Sequence, residues 1–95
     1  MYIKEHWSNE RISDVWKKGK IVGDNDPNIY RKDACGAWIQ FSKHGDRDAK
    51  YGWEIDHIIP EAHHGSNALS NLQPLHWKNN VAKGDSSQLE CVVRD

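Results

Sequence analysis

A small α+β domain is predicted for this 95-residue sequence by three features of its pattern. Near the N-terminus, Ile12, Val15 and Trp16 recur at helical spacing behind a capping residue, Ser8. In the middle, Trp53-Glu-Ile-Asp-His-Ile-Ile59 is a β-branched run stopped by Pro60. Further on, Lys78 to about Lys83 is a short helical stretch closed by Gly84. This length holds one domain, expected to span residues 1–95. Such a chain buries only about 60% of its unfolded surface. Five Trp, three Tyr and one Phe nevertheless supply enough bulk to anchor a core.

The elements follow in order. The first helix is expected from about Ser8 to Lys18, with Lys17 and Lys18 in its last turn and Gly19 as its stop. Gly23-Asp-Asn-Asp-Pro27 is a loop, and Asn28 to Asp33 is read as one helical turn. Ala37 to Ser42 alternates as a strand, and His44 to Asp48 is a polar turn. After the strand at 53–59, Glu61 to Asn71 is a loop. Leu72 to Leu75 is a short extended piece whose Pro74 argues for an edge or irregular strand. Leu89 to Val93 is expected as a last edge strand.

The formal net charge is -1. A protein gripping DNA by bulk electrostatics should be basic, so positive charge here must be local or come from a metal ion. Lys17, Lys18 and Lys20 form one basic cluster, and Arg31-Lys32 a second. Cys35 and Cys91 form no C-x-x-C pair, which excludes a four-cysteine zinc site. They are read as two reduced, mostly buried thiols, with a disulfide as the alternative. No apolar stretch is long enough for a membrane span, and the first residues lack the apolar block of a secretory signal. The expected location is the cytoplasm.

One window concentrates chemistry. Asp56 is a hard oxygen donor suited to Mg²⁺ or Mn²⁺, and His57 beside it is a base of the kind that works near neutral pH. Asn80 offers an amide oxygen from the second helix, and Lys83 lies one turn further along the same face. Together they are the parts of a metal-assisted hydrolysis site. One difficulty is geometric: neighbours on a regular strand face opposite ways, so the strand must twist or end near His57.

The window from about Tyr51 to Asp85 resembles the HNH nuclease motif of the ββα-metal (His-Me finger) fold. The resemblance rests on Asp-His-Ile-x-Pro, a Gly-bearing loop, Asn-Leu-Gln-x-Leu, and Asn-x-x-Lys. It implies His57 as general base and Asp56 as metal ligand. Asn71 would brace the loop and help orient the base, and Asn80 would be the helical ligand of an H-N-N variant, with Asn79 its competitor. Lys83, His76 and His64 are carried as substrate-binding candidates, His76 being read first as a structural neighbour and then as a DNA contact or ligand. The implied cofactor is one divalent ion, Mg²⁺ or Mn²⁺ first, with Zn²⁺ or Ni²⁺ as alternatives. The implied partner is DNA, nicked by a monomer or cut across both strands by a homodimer. A non-cleaving DNA-binding module on the same scaffold is the alternative. Many members are stapled by paired zinc knuckles that this chain lacks, so stability is expected from its Trp-rich core or a dimer contact. Trp7, Trp16, Trp38 and Trp53 are accordingly read as core or interface residues rather than base-stacking platforms.

Overall fold

Ser8 accepts a hydrogen bond from the Arg11 N–H (3.0 Å) and opens helix α1, Asn9–Trp16. The structure, a computed structural model, describes residues 6–95. Along α1, Val15 and Trp16 are buried and Ile12 packs beside them, the face that the helical spacing predicts. Two antiparallel hairpins follow. The first pairs β1 (Tyr30–Lys32) with β2 (Trp38–Gln40); the second pairs β3 (Trp53–His57) with β4 (Leu72–His76). Helix α2, Trp77–Lys83, completes a ββα unit with β3 and β4. No helix among the described residues is long and apolar enough to cross a membrane.

The core forms where α1 meets the second hairpin. Val15, Trp16, Ile39, Trp53, Ile55 and Leu72 make one cluster, with Trp7 packed against it. Trp16 donates its indole N–H to Pro27 O (2.9 Å) and Trp53 donates to Phe41 O (3.2 Å), so both rings are buried without orphaning a donor. Trp38 is different. It lies half-buried on the outer face of the first hairpin, outside the core cluster, which leaves the interface half of its expected role.

Pro74 sits inside β4 because of the ladder's alternation. Ile58 N–H donates to Asn71 O and Trp77 N–H to Gly52 O. These bonded pairs flank the register Ile55↔Pro74, whose backbone groups therefore point away from the partner strand. The proline nitrogen faces outward, where no ladder bond is lost. On that outer side Lys18 donates its ammonium to Leu72 O, and His76 N–H donates to Asp33 Oδ2 (2.9 Å).

Four expectations need correction. Residues 30–32 are a strand rather than part of a helical turn, because pairing with β2 and a bridge between Lys20 and Lys32 hold them extended. Strand β3 ends at His57, not Ile59, because the Ile59 N–H is taken by the Asn71 side chain (2.9 Å). No strand forms at 89–93; Val92 and Val93 instead donate their N–H groups to Asn79 Oδ1 (2.9 and 2.8 Å). Finally, Cys35 and Cys91 are joined in a disulfide rather than free.

The disulfide lies beside a buried polar node. Asp33 Oδ1 accepts from the N–H groups of Cys35 and Ala37 (2.9 and 2.8 Å), while Oδ2 accepts from His76 N–H and from Asn79 Nδ2 (3.1 Å). Crosslink and node together staple the first hairpin, α2 and the tail, adding to the hold of the aromatic core. Closing a loop of sequence separation 56 is worth about 4 kcal/mol of chain entropy. Reductant, or Cys91→Ser, is therefore expected to lower unfolding free energy by about 2–5 kcal/mol in urea melts; an unchanged midpoint would refute that role.

Candidate active site

The end of β3, the loop after it and α2 supply the expected groups. Asp56 is buried and lies opposite Gln73 in the ladder. Gln73 Nε2 donates to its Oδ2 (2.9 Å), and Lys83 Nζ lies 3.2 Å from its Oδ1. Burial pushes the Asp56 carboxyl above its usual range, and the Gln73 hydrogen bond and Lys83 charge only partly offset this. Lys83 also donates to His57 O (2.8 Å), tying the end of β3 to α2.

Asn80 is oriented from behind. Its Nδ2 donates to Glu54 Oε1 (2.8 Å), and Glu54 is gripped at both oxygens by Arg47, at 2.7 and 2.9 Å. Glu54 sits two residues before Asp56, on the same face of β3. With Nδ2 committed, Oδ1 is the amide atom without a protein partner among the described residues. Asp56, His57 and Asn80 line one cavity of about 190 Å³, shared with Glu61 and Asp85. The geometric difficulty is met by the strand's ending at His57 itself.

His57 is held by two contacts. Its Nε2 lies 2.6 Å from Asn67 Oδ1, and the Trp7 ring lies 5.8 Å away at 44°. An amide oxygen only accepts, so Nε2 carries the proton in this pairing and Nδ1 keeps a lone pair. Asn71 does not touch the imidazole. Its Oδ1 accepts from Ile59 N–H, while Nδ2 donates to Ile59 O (3.0 Å) and Ser66 O (2.8 Å), closing the loop on itself. Gly65 is required there, since a Cβ would collide with Ile59 O.

The donor set fits a hard cation. It comprises one carboxylate and one amide oxygen, and each Asp56 oxygen keeps a lone pair beyond its present bond. Among the described residues no three His, Cys, Asp or Glu side chains group to hold a metal, unlike a closed zinc site. An ion bound by two protein oxygens would complete its shell with water and substrate, as Mg²⁺ and Mn²⁺ do.

Three other candidates lie elsewhere. Lys83 is 3% exposed with its ammonium committed, so it sits beneath the site rather than presenting a cation to substrate. His76 is also 3% exposed; its Nδ1 accepts from Lys78 N–H and caps α2, and its Nε2 meets Lys50 O at 2.7 Å. Both side chains spend their polar atoms inside the fold. His64 stands exposed in the loop in a left-handed conformation (φ 68°). Asn79 is fully buried and spends its amide on Asp33, Val92 and Val93, which removes it as Asn80's competitor. Sequence reading missed Asn67, Gln73, Glu54 and Arg47. Strand periodicity puts Glu54 on the Asp56 face, but Asn67 left no signal beyond its loop.

Comparison with known proteins gives one match. A family model described as HNH endonuclease fits residues 35–86, more than half of the chain, including Asp56, His57, Asn71 and Asn80. No curated protein and no solved structure matches.

The Asp56–Lys83 pair generates a stability prediction. Lys83→Met leaves a buried carboxylate without its counter-charge and is expected to cost about 3–5 kcal/mol at pH 7. An acid bound more tightly to its proton folded than unfolded makes stability fall as pH rises above about 4. The loss in the variant should therefore be much smaller at pH 4 than at pH 7 in urea titrations. Equal losses at both pH values would refute the pairing.

Proposed function

Because this chain belongs to the HNH endonuclease family, we propose that it is a metal-dependent endonuclease hydrolysing DNA phosphodiester bonds. The observation that carries the reading is the meeting of Asp56, His57 and Asn80 on one cavity where β3 ends against α2. In this mechanism His57 Nδ1 takes a proton from a water that attacks phosphorus in line, while Asn67 holds Nε2. The new oxygen–phosphorus bond forms as the bond to the 3′ oxygen breaks; that oxygen takes a proton from solvent, giving a 5′-phosphate and a 3′-hydroxyl. Asp56 and Asn80 would hold one divalent ion, Mg²⁺ or Mn²⁺ before Zn²⁺ or Ni²⁺. Such an ion would supply positive charge to the phosphate as negative charge develops on it. Asn71 acts through the loop it closes, and His64 is the remaining exposed contact for substrate.

One domain over residues 1–95 carries one site, so a monomer nicks; a double-strand break calls on a second copy. The cytoplasmic location expected from sequence sits against the Cys35–Cys91 disulfide, a bond that rarely persists in a reducing cytosol. An oxidising surrounding suits this chain better.

A plasmid-nicking assay tests the reading. Supercoiled DNA should be relaxed in Mg²⁺ or Mn²⁺ and protected by EDTA. His57→Ala should cut at least about 100-fold more slowly while still binding DNA. Asp56→Ala or Asn80→Ala should raise the metal concentration needed for half-maximal activity. DNA binding without nicking under any of these ions would instead identify a non-cleaving module.

A further inference from the structure

The outer face of the first hairpin is unusual for a half-buried sheet. Burial alternates along both strands, with Arg31 and Ile39 inside. The opposite face of such a hairpin is ordinarily polar. Here the register sets Tyr30, Lys32 and Trp38 on that face, and a bond from Gln40 N–H to Tyr51 O (3.0 Å) brings a third ring alongside. Tyr30 stands nearly perpendicular to both neighbours, at 82° to Trp38 (6.3 Å) and 89° to Tyr51 (6.1 Å). The three rings and the Asn25 side chain line a pocket of about 180 Å³. All three rings are half-buried, so the pocket opens to solvent rather than into the core.

Cations flank it. Lys32 Nζ lies 4.9 Å from the Trp38 ring centre and Lys50 Nζ 5.5 Å from that of Tyr51. Lys32 also lines a second groove, of about 290 Å³, with Lys18 and Lys20. That groove reaches Gln73, the residue bonded to Asp56, so positive charge runs from the flank of the candidate site to the rings. A line of lysines ending at an aromatic pocket matches a polyanion whose monomers each carry a flat ring.

We infer that the Tyr30–Trp38–Tyr51 pocket binds an unpaired nucleobase of a DNA strand whose phosphates lie along Lys32 and Lys20. The rings supply stacking, which needs an exposed base face and so excludes intact duplex. Asn25, whose Nδ2 donates to Val22 O (2.9 Å), forms part of the pocket wall. The inference rests on the nucleic-acid reading above but not on cleavage.

The test is binding in EDTA, followed by fluorescence anisotropy. A labelled 12-nucleotide oligothymidylate is compared with an abasic phosphodiester strand of equal length and charge. The wild-type chain should prefer the base-bearing strand by about tenfold or more. Trp38→Ala and Tyr51→Ala should abolish that preference and leave abasic binding unchanged, while Trp38→Phe retains most of it. Lys20→Gln with Lys32→Gln should weaken both strands alike and flatten the salt dependence. Circular dichroism and the urea midpoint of each variant check that it is folded. Equal affinity of the wild-type chain for the two strands would overturn the inference, as would variants that lose both ligands equally while still folded. Nicking with no base preference would sink the pocket and spare the nuclease; the preference without nicking would do the reverse.

Discussion

Two oxygens of one buried carboxylate hold the two halves of this chain in register. Asp33 Oδ1 closes its own loop through Cys35 and Ala37, and Oδ2 reaches the junction of β4 and α2 through His76 and Asn79. Four N–H donors compensate the burial that an isolated carboxylate would not survive. Asn79 passes the connection on to the backbone of Val92 and Val93, beside the Cys35–Cys91 crosslink. The next residue is Asn80. The position of α2 against β3, and with it the meeting of Asn80 and Asp56, is thus set from a loop outside the ββα unit.

The charges of the site are layered. Lys83 and Gln73 lie under Asp56, Arg47 and Glu54 lie behind Asn80, and Asn67 stands beside His57. Each partner spends a hydrogen bond on orienting a group rather than on reaching substrate. Burying Lys83 against Asp56 costs desolvation of both ions, compensated by the second acceptor at His57 O. Asn71 and Asn67 divide the loop between them: one fixes its path, the other touches the imidazole. A single sequence position had been expected to do both.

Local signals were readable and non-local ones were not. Ser8 as cap, the β-branched run of β3, the edge position of β4 and the stop at Gly84 each follow from neighbouring residues. The short strand β1 has no such signature; pairing with β2 creates it. The disulfide depends on two chain segments meeting, which spacing does not reveal. Asp56, His57 and Asn80 were legible as chemistry, and their shared cavity follows from the strand's early ending. The burial of Lys83 and His76 was not legible, because a cation or imidazole near a motif gives no sign of whether it faces solvent or core.

The outer margin of β4 carries one more consequence. Its three successive outward rungs are an acceptor taken by Lys18, a proline with no donor, and a donor taken by Asp33. A foreign strand laid along that margin would find no continuous ladder to join. Partners must therefore recognise this molecule through side chains there, and concentrated solutions are spared the strand-by-strand polymerisation that open hairpins invite. Replacing Pro74 with a β-branched residue to tidy the hairpin would restore the missing N–H and weaken that safeguard.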